Sequence, residues 1–558
     1  MGNIFNSIRV RPPKRNRFNL SHNVKLTTSF GRLTPILVED CLPGDVFKCN
    51  TEMLCRFMPL KAPIMQEINV YTHFFFVPKR LLWDKWKEFI TGGEDGTSAP
   101  VYPRIDVGGK STHFGSGSLA DYLGFPVLRE GEGFNLAWQN DDLACIDALP
   151  FRAYQLIYNE FYRDQNLTDE VDIKRDTSGI YYDSRHLQLR KRSWQKDYFT
   201  SALPWAQRGD EITLPLQAEA PFKIAGEGNL DLNLGQFEQL VAGNGGVVQS
   251  GNVAATPRGG SVGDLRDSKG TKLYVSNCSL PNSRLQISAE DVIHDLFSGV
   301  DLSKATAATI NELRRAIKAQ EFLEVGARGG SRYIEQIYSY FGVRSSDARL
   351  QRPQFLGGGK SPVVISDVLQ TSQTTESSPQ ATPSGHAISV QNSHSFKFSC
   401  EEHGYIIGIM SIMPKASYMQ GLPRKYSKFH RLDHYWPQFA HLGEQEIKSK
   451  ELYVNFSLSP SSSNVSYDDT FGYTPRYAEY KFHNDSVHGN FRDNLAFWHM
   501  GRIFEKPPLL NNDFLTSMVG STDRAFAVTD VDADPIWVQI YHNFKALRKM
   551  PKFGTPLF

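Results

Sequence analysis

Apolar and polar positions alternate with a period of two in some stretches of the chain and of three to four in others, and the strand-like stretches lie toward the two ends. Between residues 24 and 77, Pro35, Pro43, Pro59 and Pro63 punctuate short apolar runs. The last of these, Phe74 to Val77, predicts a buried strand ended by Pro78. Arg80 to Ile90 changes period: Leu82, Trp86 and Phe89 fall on one helical face, and Gly92 is a natural stop. Residues 92–118, rich in Gly, Ser, Thr and Pro, predict a loop. Phe151 to Tyr162 and Ser303 to Val325 predict two further helices. The second carries a stripe of Ile310, Leu313, Ala316, Ile317 and Phe322, a pattern of core packing. Strand signals then return. Phe396 and Phe398 alternate with polar residues, EEHG (401–404) follows, and Tyr405 to Met413 completes an expected hairpin. Leu452, Val454, Phe456 and Leu458 predict a half-buried strand, and Trp537 to Phe544 predicts another.

Two segments follow neither period. Residues 226–270 contain 11 Gly and few large apolar side chains, too long a stretch for an ordinary connection. Residues 370–385 form a polar, Ser/Thr-rich loop. No repeat of 20–50 residues is visible. Strands and helices do not alternate regularly, which argues against a doubly wound sheet. An eight-stranded jelly roll needs roughly 50–60 strand residues. Most of the 558 residues would then be insertions.

Composition fits a globular chain with a large core: 40% hydrophobic, 22% charged, with 36 Phe and 23 Tyr. No run is long and apolar enough for a membrane span, and no signal-peptide core is present. Cysteines at 41, 49, 55, 145, 278 and 400 form no Cys-x-x-Cys pair, which favours buried free thiols in a reducing compartment. Charge is more informative. The net value is +1, yet residues 1–38 carry seven cations and no acid. Residues 535–558 carry four cations, again without an acid. The ends therefore hold +11 and the middle −10, a partition that points to ends meeting an anion such as nucleic acid. The candidate contacts are Arg9, Arg11, Lys14, Arg15 and Arg17 at one end and Lys545, Arg548, Lys549 and Lys552 at the other. Arg190, Lys191 and Arg192 join them, because Trp194, Tyr198 and Phe199 follow and aromatic faces can stack bases.

Catalytic and metal patterns fail on inspection. GGGKSP (357–362) lacks the first Gly of a phosphate loop, since Gln354 stands there, and a backbone turn accounts for it better. DVDADP (530–535) has Pro535 and Tyr541 where a calcium loop needs Gly and Glu. His430 and His434 lack the Glu of a zinc-protease signature, and Pro437 interrupts a helix. No Gly-x-Ser-x-Gly elbow occurs. No catalytic residue, metal or cofactor is expected.

Longer strings carry a resemblance. MPLKAPI (58–64), INVYTHFFFVPKRLLWDKW (68–86), LPFRAYQLIYNEFYRDQNL (149–167), KDYFTSALPWAQRG (196–209), FGVRSSDARLQRPQFLGGGK (341–360), EEHGYIIGIMSIMP (401–414), HYWPQFAHLGEQE (434–446) and FGYTPRYAEYK (471–481) resemble the major capsid protein of the Microviridae, gokushovirus type. The resemblance implies a mainly β fold, an eight-stranded antiparallel jelly roll of viral capsid type with large loop and helical insertions. It implies a non-enzymatic subunit present in sixty copies in a T=1 shell around circular single-stranded DNA, in virions assembled in the bacterial cytoplasm. Implied partners are an internal scaffolding protein, a small DNA-binding protein, a pilot protein and a host receptor, with no membrane contact. The expected organisation is a basic arm (1–20), the first part of the jelly roll (21–214) and a Gly-rich insertion forming a threefold protrusion (215–290). The remainder of the roll (291–534) and a last strand with a basic tail (535–558) follow. The alternative is a jelly-roll carbohydrate-binding or hydrolytic protein, and a monomeric single-stranded-DNA binder is a third reading.

Overall fold

The computed structural model describes residues 14–107, 113–128, 145–210, 212, 265–266, 272–273, 310–369, 383–456, 467–518, 521–527 and 533–553. Arg9, Arg11, Cys278, Asp530 and Asp532 lie outside them, as does most of the expected 215–290 insertion. The chain divides into two compact units, one of Met1–Asp210 with Glu321–Phe558, the other Glu211–Gln320. Within the second, Leu265–Arg266 and Lys272–Leu273 pair antiparallel.

Ten strands organise the first unit: β1 (Asn16–Asn19), β2 (His22–Thr28), β3 (Thr34–Cys41), β4 (Val46–Phe57), β5 (Ile68–Pro78), β6 (Gln354–Pro362), β7 (Val364–Leu369), β8 (Pro383–Ser399), β9 (Gly404–Pro414) and β10 (Ile536–Arg548). They form two antiparallel sheets, so the fold is mainly β as expected. The first has the order β1–β10–β4–β8–β7, with β2 also on β10; the second has the order β6–β5–β9–β3. The chain changes sheet at most connections, so neighbouring strands come from distant sequence. The C-terminal strand β10 lies between β4 on one side and β1 and β2 on the other.

The inner faces of both sheets share one core. Phe74 meets Phe396 at 4.9 Å, Phe76 meets Phe398 at 4.7 Å, and Phe47 stacks on Phe544 at 5.2 Å. A second core covers the other face of the second sheet, where Phe75, Val77, Ile407 and Ile409 pack with Trp83, Phe151 and Ile157. This explains two textures. β5 and β9 read as nearly unbroken apolar runs because both faces are covered, whereas β4 and β10 alternate because one face is open. Trp537 and Tyr541 stand on that open face.

Phe74–Val77 and Trp537–Phe544 lie in strands, as expected, and both strands extend further. The 80–90 helix splits into a 3-10 turn, Lys79–Leu81, and helix α1, Trp86–Thr91, which ends at Gly92 with φ +79°. Helix α2, Leu149–Ile157, loosens into a wider turn at Tyr158–Tyr162. Helix α3 spans Ile310–Gly329, and its first expected residues, 303–309, lie outside the described residues. Its stripe is not core: Ile310, Leu313, Ile317 and Phe322 are exposed. At its C-terminal end Phe322 stacks on Tyr340 at 4.6 Å, and Arg328 pairs with Glu444.

Three further expectations are corrected. β8 and β9 are not a hairpin; they belong to different sheets, and Glu401–His403 turns a corner between them. Alternation reveals that a strand has a buried face but does not identify its partner. A side chain at Gly404 would come within 2.6 Å of the Val77 carbonyl oxygen, so the corner needs glycine. Residues 452–456 form no strand. Glu451, the last residue of a 3-10 turn, is buried in succession with Leu452 and Tyr453, and Phe456 is 91% exposed. GGGK lies not in a turn but in strand β6, where Gly358 packs against the Thr72 carbonyl and Gly359 against His394.

Cys41, Cys49, Cys55 and Cys400 are buried free thiols. Burial pushes the Cys49 thiol up to about 11. His542 is fully buried and ties the sheets together: Nε2 donates to the Ile36 carbonyl at 2.9 Å, and Nδ1 accepts from the Thr51 hydroxyl at 3.0 Å. Burial lowers its pKa from 6.5 to about 4. The unfolded chain therefore takes up this proton first as pH falls, and stability declines between pH 6.5 and 4 by up to about 3 kcal/mol from this residue. Denaturant titrations at a series of pH values should show a shallower acid slope for His542→Gln, on a lower stability at pH 7. Phe396→Ala should cost about 3–5 kcal/mol in the same assay, and Trp537→Ala on the open face roughly 0.5 kcal/mol or less.

Candidate nucleic-acid interface

The two basic ends are neighbours. β1 runs antiparallel to the end of β10, with Asn16 opposite Arg548, Arg17 opposite Leu547 and Asn19 opposite Lys545. Asn16 Nδ2 donates to the Met550 carbonyl at 2.7 Å, and the Leu20 amide donates to Phe544 at 2.8 Å. With the β2–β10 pairs, these bonds hold residues 16–28 along the edge of β10. Lys14, Arg15, Arg17, Lys549 and Lys552 are exposed there, and Lys545 is half-buried.

Arg548 differs from its neighbours. Its guanidinium pairs with Glu39, lies 3.1 Å from Asp45, donates to the Asp40 carbonyl and covers the Phe47 ring at 5.5 Å. Burial pushes the Glu39 and Asp45 carboxyls up, and the Arg548 charge opposes that shift. Arg548 is thus a structural cation.

The 190–199 run is also largely internal. Arg190 donates to Gln155 and Gln188 and to the Arg185 carbonyl. Arg192 donates to Ser411 and lies 4.1 Å from the Tyr71 ring centre. Trp194 and Phe199 are core residues, and the Tyr198 hydroxyl donates to Glu451. Their rings are packed away from solvent and cannot stack bases. Lys191 alone of the three cations is exposed. Sequence reasoning missed Lys48 and Lys397, which stand beside Lys545 on the open face of the first sheet. Each is a lone cation between two inward aromatic or thiol side chains, a signal that period-two reading contains.

Among the described residues no group of His, Cys, Asp and Glu could hold a metal ion. Asp433 instead accepts the backbone amides of Phe429 and His430 within a tight turn. Asp534 accepts both hydrogen bonds from the Arg32 guanidinium at 2.8 and 2.9 Å.

A family model described as "Capsid protein (F protein)" matches residues 7–558. The chain belongs to this family of phage capsid proteins. It is 36% identical to the "Capsid protein VP1" of Chlamydia phage 1, covering 100% of this chain and 98% of that protein. It is 34% identical to the "Capsid protein VP1" of Bdellovibrio phage phiMH2K, covering 97% and 95%. The "Capsid protein VP1" of Spiroplasma virus 4 is 28% identical over 97% and 95%. The resemblance to Microviridae capsid proteins is therefore correct, and the protein is structural, a virion component rather than an enzyme. Among the described residues of this capsid protein no helix is long and apolar enough to cross a membrane.

The two kinds of cation should separate by mutation. Arg548→Gln leaves Glu39 and Asp45 without their counter-charge and should destabilise the subunit by roughly 3–5 kcal/mol. Lys549→Gln should change it by about 0.5 kcal/mol or less. Chemical denaturation of the two purified variants checks both.

Proposed function

We propose that this protein is the major subunit of a T=1 icosahedral shell, self-assembled from sixty copies around circular single-stranded DNA. The observation that carries the reading is the family match along residues 7–558, combined with two basic chain ends that meet in adjacent strands. In this reading β2, β10, β4 and β8 face β3, β9, β5 and β6 as the eight strands of a jelly roll. The repeated change of sheet along the chain supports it. Lys14, Arg15, Arg17, Lys545, Lys549 and Lys552 offset genome charge, with Arg9 and Arg11 extending the same arm. Arg190, Arg192 and Arg548 have internal partners and leave this set; Lys191 stays in it.

A shell also needs lateral contacts between subunits. Tyr426, Phe429, Leu432 and Tyr435 are exposed on one excursion of 3-10 turns and suit burial against a neighbouring copy. The 215–290 segment would form a threefold protrusion for host attachment. An internal scaffolding protein, a small DNA-binding protein and a pilot protein would take part in assembly in the host cytoplasm.

Co-expression with the phage scaffolding protein, imaged by negative stain, should give closed particles. Monomers alone would contradict the reading. In particles that form, glutamine at Lys14, Arg15, Arg17, Lys549 and Lys552 should lower the packaged DNA or its retention at high salt. Unchanged packaging and retention would remove the genome-contact role of the ends.

A further inference from the structure

The open face of the first sheet carries a row of like charges. In register, Lys397 on β8 lies opposite Lys48 on β4, and Lys48 lies opposite Lys545 on β10. Successive strands are about 4.8 Å apart, so three ammonium stems rise side by side across about 10 Å. Asn19 continues the row on β1. The row toward the sheet interior holds Asn543, Asn50 and Ser395; the row on the other side holds Arg17, Leu547, Val46 and Ser399. None of these positions is acidic. None of the three lysines has an ion-pair partner among the described residues. Lys48 and Lys397 are exposed, and Lys545 is half-buried.

Such a row is unfavourable in an isolated sheet, because like charges directly opposite one another repel. Several other cations of this unit are neutralised by nearby acids instead. Arg32, Lys79, Arg80 and Lys428 each have an acidic partner within 3 Å. Lysines on sheet edges often block unwanted strand pairing. That does not explain Lys48 or Lys545, since β4 and β10 are interior strands paired on both sides. An external polyanion resolves the repulsion, and Asn19, Asn50 and Asn543 around the row can donate to phosphate oxygens.

We propose that Lys397, Lys48 and Lys545, flanked by Arg17, form a phosphodiester-binding row for single-stranded DNA. The first sheet's open face is then the genome-facing surface. The inference rests on the genome-contact reading and extends it from the chain ends to the sheet face.

The test uses full-length protein and a 20-residue oligothymidylate, with affinity measured across a NaCl series. Three variants are compared with wild type: K48Q/K397Q/K545Q, K48R/K397R/K545R and K14Q/R15Q/K549Q/K552Q. The triple glutamine variant should bind more weakly, and its slope of log affinity against log salt should fall by about 2, from about 0.7 for each phosphate contact. The triple arginine variant should keep the wild-type slope. An unchanged slope in the triple glutamine variant overturns the inference. If the terminal variant alone loses binding, the row is excluded while contact through the chain ends stands. If neither loses binding, both fall. Lost particle assembly with unchanged oligonucleotide affinity also overturns it, and assigns the row to an acidic protein partner.

Discussion

The insertion of β10 between the N-terminal edge and β4 is the contact on which the rest of the structure depends. It joins residue 548 to residue 16 and residue 536 to both residue 28 and residue 57. The first sheet has no continuous core until the last strand arrives, because Ile540 and Phe544 supply its middle. Contacts of such sequence separation form late, after large loops have closed. A subunit built this way holds its basic ends in place only when fully folded. His542 lies on the same strand and reaches across to Ile36 in the second sheet, so the pairing of β10 also fixes how the sheets meet.

The two sheets divide the labour. The second sheet is covered on both faces, and the helices and loops between β5 and β6 account for much of that cover. The first keeps one face open. A long insertion placed on one side thus enlarges the subunit without disturbing the other. In a capsid protein that asymmetry gives the subunit two unlike faces. Cations with structural work, such as Arg192 and Arg548, point inward toward rings and carboxylates, while Lys48, Lys397 and Lys545 stand together at one end of the open face.

Much of this was legible in the sequence, and the failures have physical causes. Period-two alternation and the Phe74–Val77 run identified strands correctly, because burial of one or both faces is a local property. The β8–β9 corner was misread as a hairpin because pairing is not local. Leu452 to Leu458 alternates in sequence, but a 3-10 turn ends at Glu451 and both Leu452 and Tyr453 are buried, so the period fails from its first residues. The RKR run at 190–192 looked like an interface because cations beside aromatics look alike whether the rings are core or surface. Charge counting found the two basic ends but could not place them side by side. Lys48 and Lys397 escaped because each is isolated in sequence and becomes part of a cluster only through register.

An electron cryo-microscopy reconstruction of DNA-filled particles tests the central claim most directly. The account predicts that the open face of the first sheet, with Arg17, Lys48, Lys397 and Lys545, lines the inner surface against nucleic-acid density. That face on the particle exterior, or sealed within a contact between subunits, would contradict it.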